Sequence, residues 1–241
     1  MRSLSTGELL DYWEQGAAQC PAERAVALLA AVCQDAEPHE IAAISIGERD
    51  RRLLLLRERL FGPGIVSVAD CPSCGATVEM RFNVEDMLVS GGAASREPFR
   101  ALCGGFEAAF RLPNSTDLRE AGAAATEEEA RHILLRRCLL QVHPDTPAEA
   151  LPPAVTRAIS ERMAEADPQA DVQLNLSCPQ CAAAWSAPFD IEAFLWTEIA
   201  AWAGRTLQEV HGLARAYGWR EQDILSLSAT RRRIYLEMAQ G

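Results

Sequence analysis

Apolar residues recur at helical spacing through the first sixty positions. Ser5-x-x-Glu8 is a capping-box pattern ahead of Leu9, Leu10 and Trp13. Pro21 predicts the start of a second helix through Val26, Leu28, Leu29 and Val32. Ser45-x-x-Glu48 predicts a third, with Leu53, Leu56 and Leu60 on one face, stopping at Gly62-Pro63-Gly64. The period then changes. Ile65-Val66-Ser67-Val68 leads to a cysteine pair, after which Val78, Met80 and Phe82 alternate with Thr77, Glu79 and Arg81 as in a half-buried strand. The same events recur downstream, where Val172, Leu174 and Leu176 alternate with polar residues up to Cys178. Both segments predict a β-hairpin with a cysteine pair at its turn.

Between them lies a mostly helical insert, 88–170. It opens on the Gly- and Ala-rich stretch 90–95, expected to be flexible, followed by a short strand near Phe106 to Leu112. Cys103-Gly104-Gly105 reads as a turn. Asn114 to Asp117 reads as a turn and cap, Thr126-x-x-Glu129 caps a helix carrying Ile133, Leu134, Cys138 and Leu139, and a helix through Val155, Ile159 and Met163 follows Pro152-Pro153. Glu127-Glu128-Glu129 is favourable charge in a first helical turn. Beyond the second hairpin, Asp190 caps a long helix from Ile191 to beyond Val210, Gly218 ends it, and two shorter helices carry Ile224-Leu225 and Ile234-Tyr235-Leu236. The expected architecture is a single α+β domain spanning 1–241. It comprises N-terminal helices (1–62), a first hairpin (65–87), the insert, a second hairpin (171–189) and C-terminal helices (190–241).

The hairpins match each other beyond their cysteines. Cys71-Pro72-Ser73-Cys74 is followed after seven residues by Phe82-Asn83-Val84-Glu85, and Cys178-Pro179-Gln180-Cys181 after seven by Phe189-Asp190-Ile191-Glu192. Two such units related by a pseudo-twofold would bring four thiolates together. Zinc takes four ligands in a tetrahedron, an all-cysteine set is a standard structural site, and a closed thiolate shell leaves no position for water. Cys71, Cys74, Cys178 and Cys181 are therefore the candidate ligands of one structural zinc ion. The 103 residues between Cys74 and Cys178 exceed ordinary zinc-ribbon spacing. Closing that loop costs on the order of 4 kcal/mol plus a constant, against roughly 10–16 kcal/mol from structural zinc binding. Thiol redox chemistry is the competing reading, but there the motif opens a helix directly after a strand. Thiolates also hold iron, and a metal-free vestige is the third alternative.

Composition narrows the function classes. The 241 residues carry 23 cations, all arginine, against 34 carboxylates, a net charge of −11 that disfavours nucleic acid as the main partner. No run is long and apolar enough for a membrane span, and the start of the chain does not read as a signal peptide, so a cytoplasmic protein is expected. Cys20, Cys33, Cys103 and Cys138 are expected as small buried hydrophobes. The four histidines stand in unrelated contexts, with His132 expected as a structural residue of an amphipathic helix; no P-loop, dinucleotide fingerprint or nucleophile elbow is present. No catalytic residue is assigned. Arg231-Arg232-Arg233 reads as a solvated helix face, and Trp196, Trp202, Tyr217, Trp219 and Tyr235 as core.

Four passages together resemble a known family. They are Gly47-Glu48-Arg49-Asp50 through Gly62, the first cysteine hairpin, Phe110-Arg111-Leu112-Pro113 with Asp117-Leu118, and the C-terminal third from Cys178 through Trp219 to Leu236. In order and spacing they are similar to the baseplate hub assembly chaperones of contractile-tailed bacteriophages, in the form carried by phage-tail-like contractile injection systems. The resemblance implies a non-enzymatic helper that binds baseplate or hub proteins during assembly. Phage members need not have the cysteines, so the zinc assignment stands on spacing alone. A zinc-ribbon adapter in transcription or nucleic-acid handling is the alternative, and a thiol oxidoreductase a further one.

Overall fold

A computed structural model describes residues 2–89 and 98–240. The glycine-rich stretch expected to be flexible lies outside the described residues. The chain begins with α1 (Thr6–Gly16), α2 (Pro21–Val32), α3 (Pro38–Ala43) and α4 (Ile46–Phe61). The Ser5–Glu8 capping box forms in both directions: the Glu8 N–H donates to Ser5 Oγ and the Ser5 N–H to Glu8 Oε2. Ser45 caps α4, and Gly62 ends it at φ 90°, a backbone region that excludes most side chains. α3 is additional to the three helices predicted, because six residues are too few to show a period.

The first hairpin pairs β1 (Gly64–Asp70) with β2 (Thr77–Asn83), and the second pairs β6 (Gln173–Ser177) with β7 (Ala184–Pro188), both antiparallel. Short α5 (Val84–Met87) follows the first, and the 27-residue α9 (Ile191–Tyr217) follows the second. Asp190 Oδ1 accepts from the N–H groups of Glu192 and Ala193, whereas at the equivalent Asn83 the backbone N–H donates to Asp86 Oδ2.

The insert carries more strand than its pattern predicts. β3 (Phe99–Cys103), β4 (Phe106–Phe110) and β5 (Leu139–His143) form one antiparallel sheet in that order, with α6 (Ser115–Ala121), α7 (Glu127–Cys138) and α8 (Pro153–Ala166) around it. Leu139, expected on the helix, instead opens β5, and the register shifts between Ala109 and Phe110. Strands of five residues interrupted by a bulge give too little alternation to detect.

Three clusters of buried side chains hold the chain. The main one joins α1, α2 and α4 to the hairpin bases and the start of α9 through Leu29, Leu53, Ile65, Val84, Ile191 and Ile199. A second seals the insert sheet against α8 through Phe110, Val155 and Ile159. A third packs α9 against α10 (Glu221–Ser226) and α11 (Ala229–Gln240) through Leu213, Ile224 and Leu236. The segment after α8 ties the first two together: the buried Asp167 accepts from the Gly47 N–H at 2.8 Å, and the Gln169 side chain bonds the backbone of Met87 and Val89. Among the described residues no helix is long and apolar enough to cross a membrane.

Candidate metal centre

The two hairpins present their cysteines in one local geometry. In the first, the Cys71 N–H donates to the Ala76 carbonyl and the Gly75 N–H to the Cys71 carbonyl; in the second, Cys178 bonds Ala183 and Ala182 bonds Cys178 in the same pattern. Strand register is also equivalent, Asp70 facing Thr77 and Ser177 facing Ala184. Each turn closes through a left-handed residue, Gly75 at φ 72° and Ala182 at φ 60°. Ala182 is the non-glycine residue with positive φ among the described residues, so the second turn holds the required shape against a Cβ.

The structure brings all four candidate sulfurs within 4.8 Å of one another. Cys71 Sγ lies 3.7 Å from Cys181 Sγ, and Cys74 Sγ lies 3.7 Å from Cys178 Sγ. A tetrahedron with Zn–S bonds of about 2.3 Å has edges of about 3.8 Å, so these separations fit a tetrathiolate site. They are far beyond a disulfide bond of about 2.05 Å, and all eight cysteines are free. Each short contact joins the buried first cysteine of one hairpin to the exposed second cysteine of the other. That crossing is the signature of a twofold relation. Phe82 and Phe189, each eight residues after its second cysteine, meet edge to face at 5.7 Å and mark the same axis on the core side.

The thiols differ electrostatically. The N–H groups of Cys181 and Gln180 point at Cys178 and bring its pKa down to about 7. At Cys74 the Ala76 N–H also favours the thiolate, but hydrogen bonds with the neighbouring thiols and desolvation outweigh it and push the pKa up to about 12. Backbone donors aimed at sulfur stabilise the thiolate form that a metal requires.

Elsewhere the sequence expectations meet mixed outcomes. Cys138 is fully buried beside Asp117, whereas Cys20, Cys33 and Cys103 are half-buried. Cys20 and Cys33 sit at the two ends of α2, and Cys103 opens the β3–β4 turn, positions where the chain turns towards the surface. His39, His132, His143 and His211 are all exposed, His132 on α7 as expected of an amphipathic helix. Arg231 and Arg233 are exposed as expected, but Arg232 is buried, with its guanidinium bonded to Glu209 and the Leu227 carbonyl. Tyr217, Trp219 and Tyr235 stack on one another at the edge of the third cluster and remain partly exposed.

Two buried polar joints escaped the sequence reading. Asp117, 0% exposed, accepts from Arg111, from Arg137 and from the Asn114 N–H. Burial alone would raise its pKa, but these donors outweigh it and hold the carboxyl below its ordinary value. Glu192 lies 3.2 Å from Arg24, whose guanidinium stacks 4.4 Å over Trp196, and burial pushes its carboxyl up to about 7 against the pull of that arginine. Nearby Asp50 is pushed up to about 6 by burial, opposed by Arg49. Glu192, Arg49 and Asp190 border a cleft of about 460 Å³ between α2 and α6. Cys20 also lines it, with no histidine among the lining residues.

Residues 16–196 match the family of T4 bacteriophage base plate proteins. The chain belongs to that family. No curated protein and no solved structure gives a significant match. In this base plate protein the matched segment contains both cysteine hairpins, the insert with Asp117, and the Gly47–Asp167 contact. It ends in the second turn of α9, so the rest of α9 with α10 and α11 lies beyond it.

Proposed function

We propose that this base plate protein is a non-enzymatic assembly factor, a chaperone that positions a hub or baseplate subunit of a contractile phage-tail-like particle. On this reading it works in the cytoplasm or on the growing particle. The observation that carries the reading is the family match running through both cysteine hairpins and the insert between them. A role by binding is supported by the chemistry of the cysteine centre. Four thiolates around one zinc ion form a closed shell that supplies structural cross-linking and no water for catalysis. Cys71, Cys74, Cys178 and Cys181 would hold the ion; Phe82 and Phe189 behind them exclude solvent and fix the hairpins on the helical core. The zinc keeps the scaffold in shape, and helical surfaces meet the partner.

The test is metal analysis of the purified full chain together with co-purification of co-expressed hub and baseplate subunits. One zinc per chain and a stoichiometric complex with one such subunit are expected. A metal-free folded protein refutes the zinc assignment, and failure of every subunit to co-purify refutes the chaperone role. Salt-dependent binding to DNA or RNA would instead favour the adapter reading.

A further inference from the structure

The C-terminal module has its own small core, and beside the core-packed Tyr235 it leaves Ile234 and Met238 facing solvent. Along α11, Arg231, Ile234, Tyr235 and Met238 follow one another at positions i, i+3, i+4 and i+7, which places them on one side of the helix. Ile234 is 41% exposed and Met238 66% exposed. The opposite side makes the packing contacts: Arg232 is buried on Glu209, and a Cβ added at Gly212 would lie 2.8 Å from Leu236. The solvent face abuts rigid aromatic surface, since Tyr217 stacks on Trp219 at 4.7 Å and Trp219 meets Tyr235 edge to face at 5.0 Å. Stacked aromatics beside exposed Ile and Met, with arginine at the margin, have the composition of binding hot spots.

Charge identifies what fits there. Residues 205–241 hold six arginines and four carboxylates, net +2, whereas the remainder of the chain carries −13. Arg232 and Arg233 are paired with Glu209 and Glu237; Arg205, Arg215, Arg220 and Arg231 are exposed and make no ion pair among the described residues. An apolar strip with a net cationic margin on an otherwise acidic protein selects an apolar segment carrying carboxylates. Anionic lipid fits less well. Membrane adsorption of this kind draws on clusters of about four to eight cations, whereas here the exposed arginines are spread over α9, the start of α10 and α11, with Glu221, Asp223 and Glu237 exposed among them.

We propose that the outer face of α11, with the Tyr217–Trp219–Tyr235 cluster, is a docking surface for an acidic amphipathic helix of a partner protein. The proposal rests on the assembly reading above, in which that partner is a hub or baseplate subunit.

The experiment uses the full chain and three forms: wild type, Ile234→Asp with Met238→Asp, and Arg231→Glu. Each is co-expressed with the hub and baseplate subunits, with zinc content and melting temperature recorded. The double variant is expected to weaken capture by about tenfold or more, at unchanged zinc content and melting temperature. Arg231→Glu should weaken it less and flatten its salt dependence. A photo-crosslinker at Met238 should attach to an acidic segment of the subunit. Undiminished capture by the double variant, or crosslinks to a basic segment, overturns the docking surface and leaves the assembly role standing. No capture by wild type overturns both. Phosphatidylserine vesicles and a short duplex DNA serve as parallel probes; binding of either that is lost in the double variant assigns the face to that ligand and overturns the proposal.

Discussion

Gly75 and Ala182 occupy the same place in two copies of one turn, at φ 72° and 60°, and only one of them is suited to it. A left-handed residue with a Cβ carries a penalty of roughly 1–2 kcal/mol, partly offset by the extra freedom glycine has when unfolded. Ala182→Gly is therefore expected to stabilise the protein by about 0.5–1 kcal/mol, and Gly75→Ala to destabilise it by a similar amount. Urea melts of the two variants check both signs; equal and like-signed shifts would contradict the equivalence of the turns. The clustering of the four cysteines is legible because a repeated spacing survives without structure. Gly75 and Ala182 were not singled out, since a left-handed conformation leaves no trace when alanine adopts it. Gly47 is similar. Its reason appears only where Asp167, 120 residues away, bonds its N–H, and where an added Cβ would fall 1.9 Å from Asp167 Oδ1.

At the scale of elements, helices with sequence-visible caps fell where expected: Ser5, Ser45, Thr126 and Asp190 each accept a backbone N–H at the start of a helix. β3 and β5 went unread because their pairing through β4 is a contact between distant short segments, and no local period reports it. What joins the elements is likewise non-local. Asp117 ties α6 to the strand exit at Arg111 and to α7 at Arg137. Asp117→Ala would remove the shared acceptor of two part-exposed arginines and of the Asn114 N–H and is expected to lower stability by about 1–3 kcal/mol, read as a shift in the denaturation midpoint at unchanged slope. Glu192, joining α9 to Arg24 on α2, works in the opposite electrostatic sense. Its folded pKa of about 7 exceeds the ordinary 4.5, so the folded state binds the extra proton between those values. Stability from this group is full at acid pH and is lost as pH rises towards 7; Asp50 adds to the same trend with a folded value of about 6. Glu192→Gln should flatten the fall in melting temperature between about pH 4.5 and 7 by the equivalent of about 1 kcal/mol, a figure reduced for solvent screening. An unchanged slope would place the titrating group elsewhere.

For the whole molecule, the decisive feature is that the two cysteine turns lie 103 residues apart in sequence yet share one cluster of sulfurs. A metal bridge across so long a loop would stabilise chiefly by removing unfolded conformations, and here it would act on hairpins of two strands each, which hold poorly alone. Among the described residues the hairpins reach the core through their bases, at Ile65, Phe82, Val172, Leu174 and Phe189. The helical cores at either end have packing of their own. Loss of the bridge should therefore melt the hairpins first and leave much of the helix content, so that unfolding splits into two steps. Chelation of the purified protein, or Cys74→Ser with Cys181→Ser, is expected to abolish metal binding and expose β1, β2, β6 and β7 to rapid amide exchange. Amides in the middle of α4 and α9 should keep their protection. Exchange measured by mass spectrometry separates this from the alternative outcomes: uniform loss of protection would mean the centre holds the entire fold, and no change in the hairpins would mean the sulfurs meet without a metal to bind them.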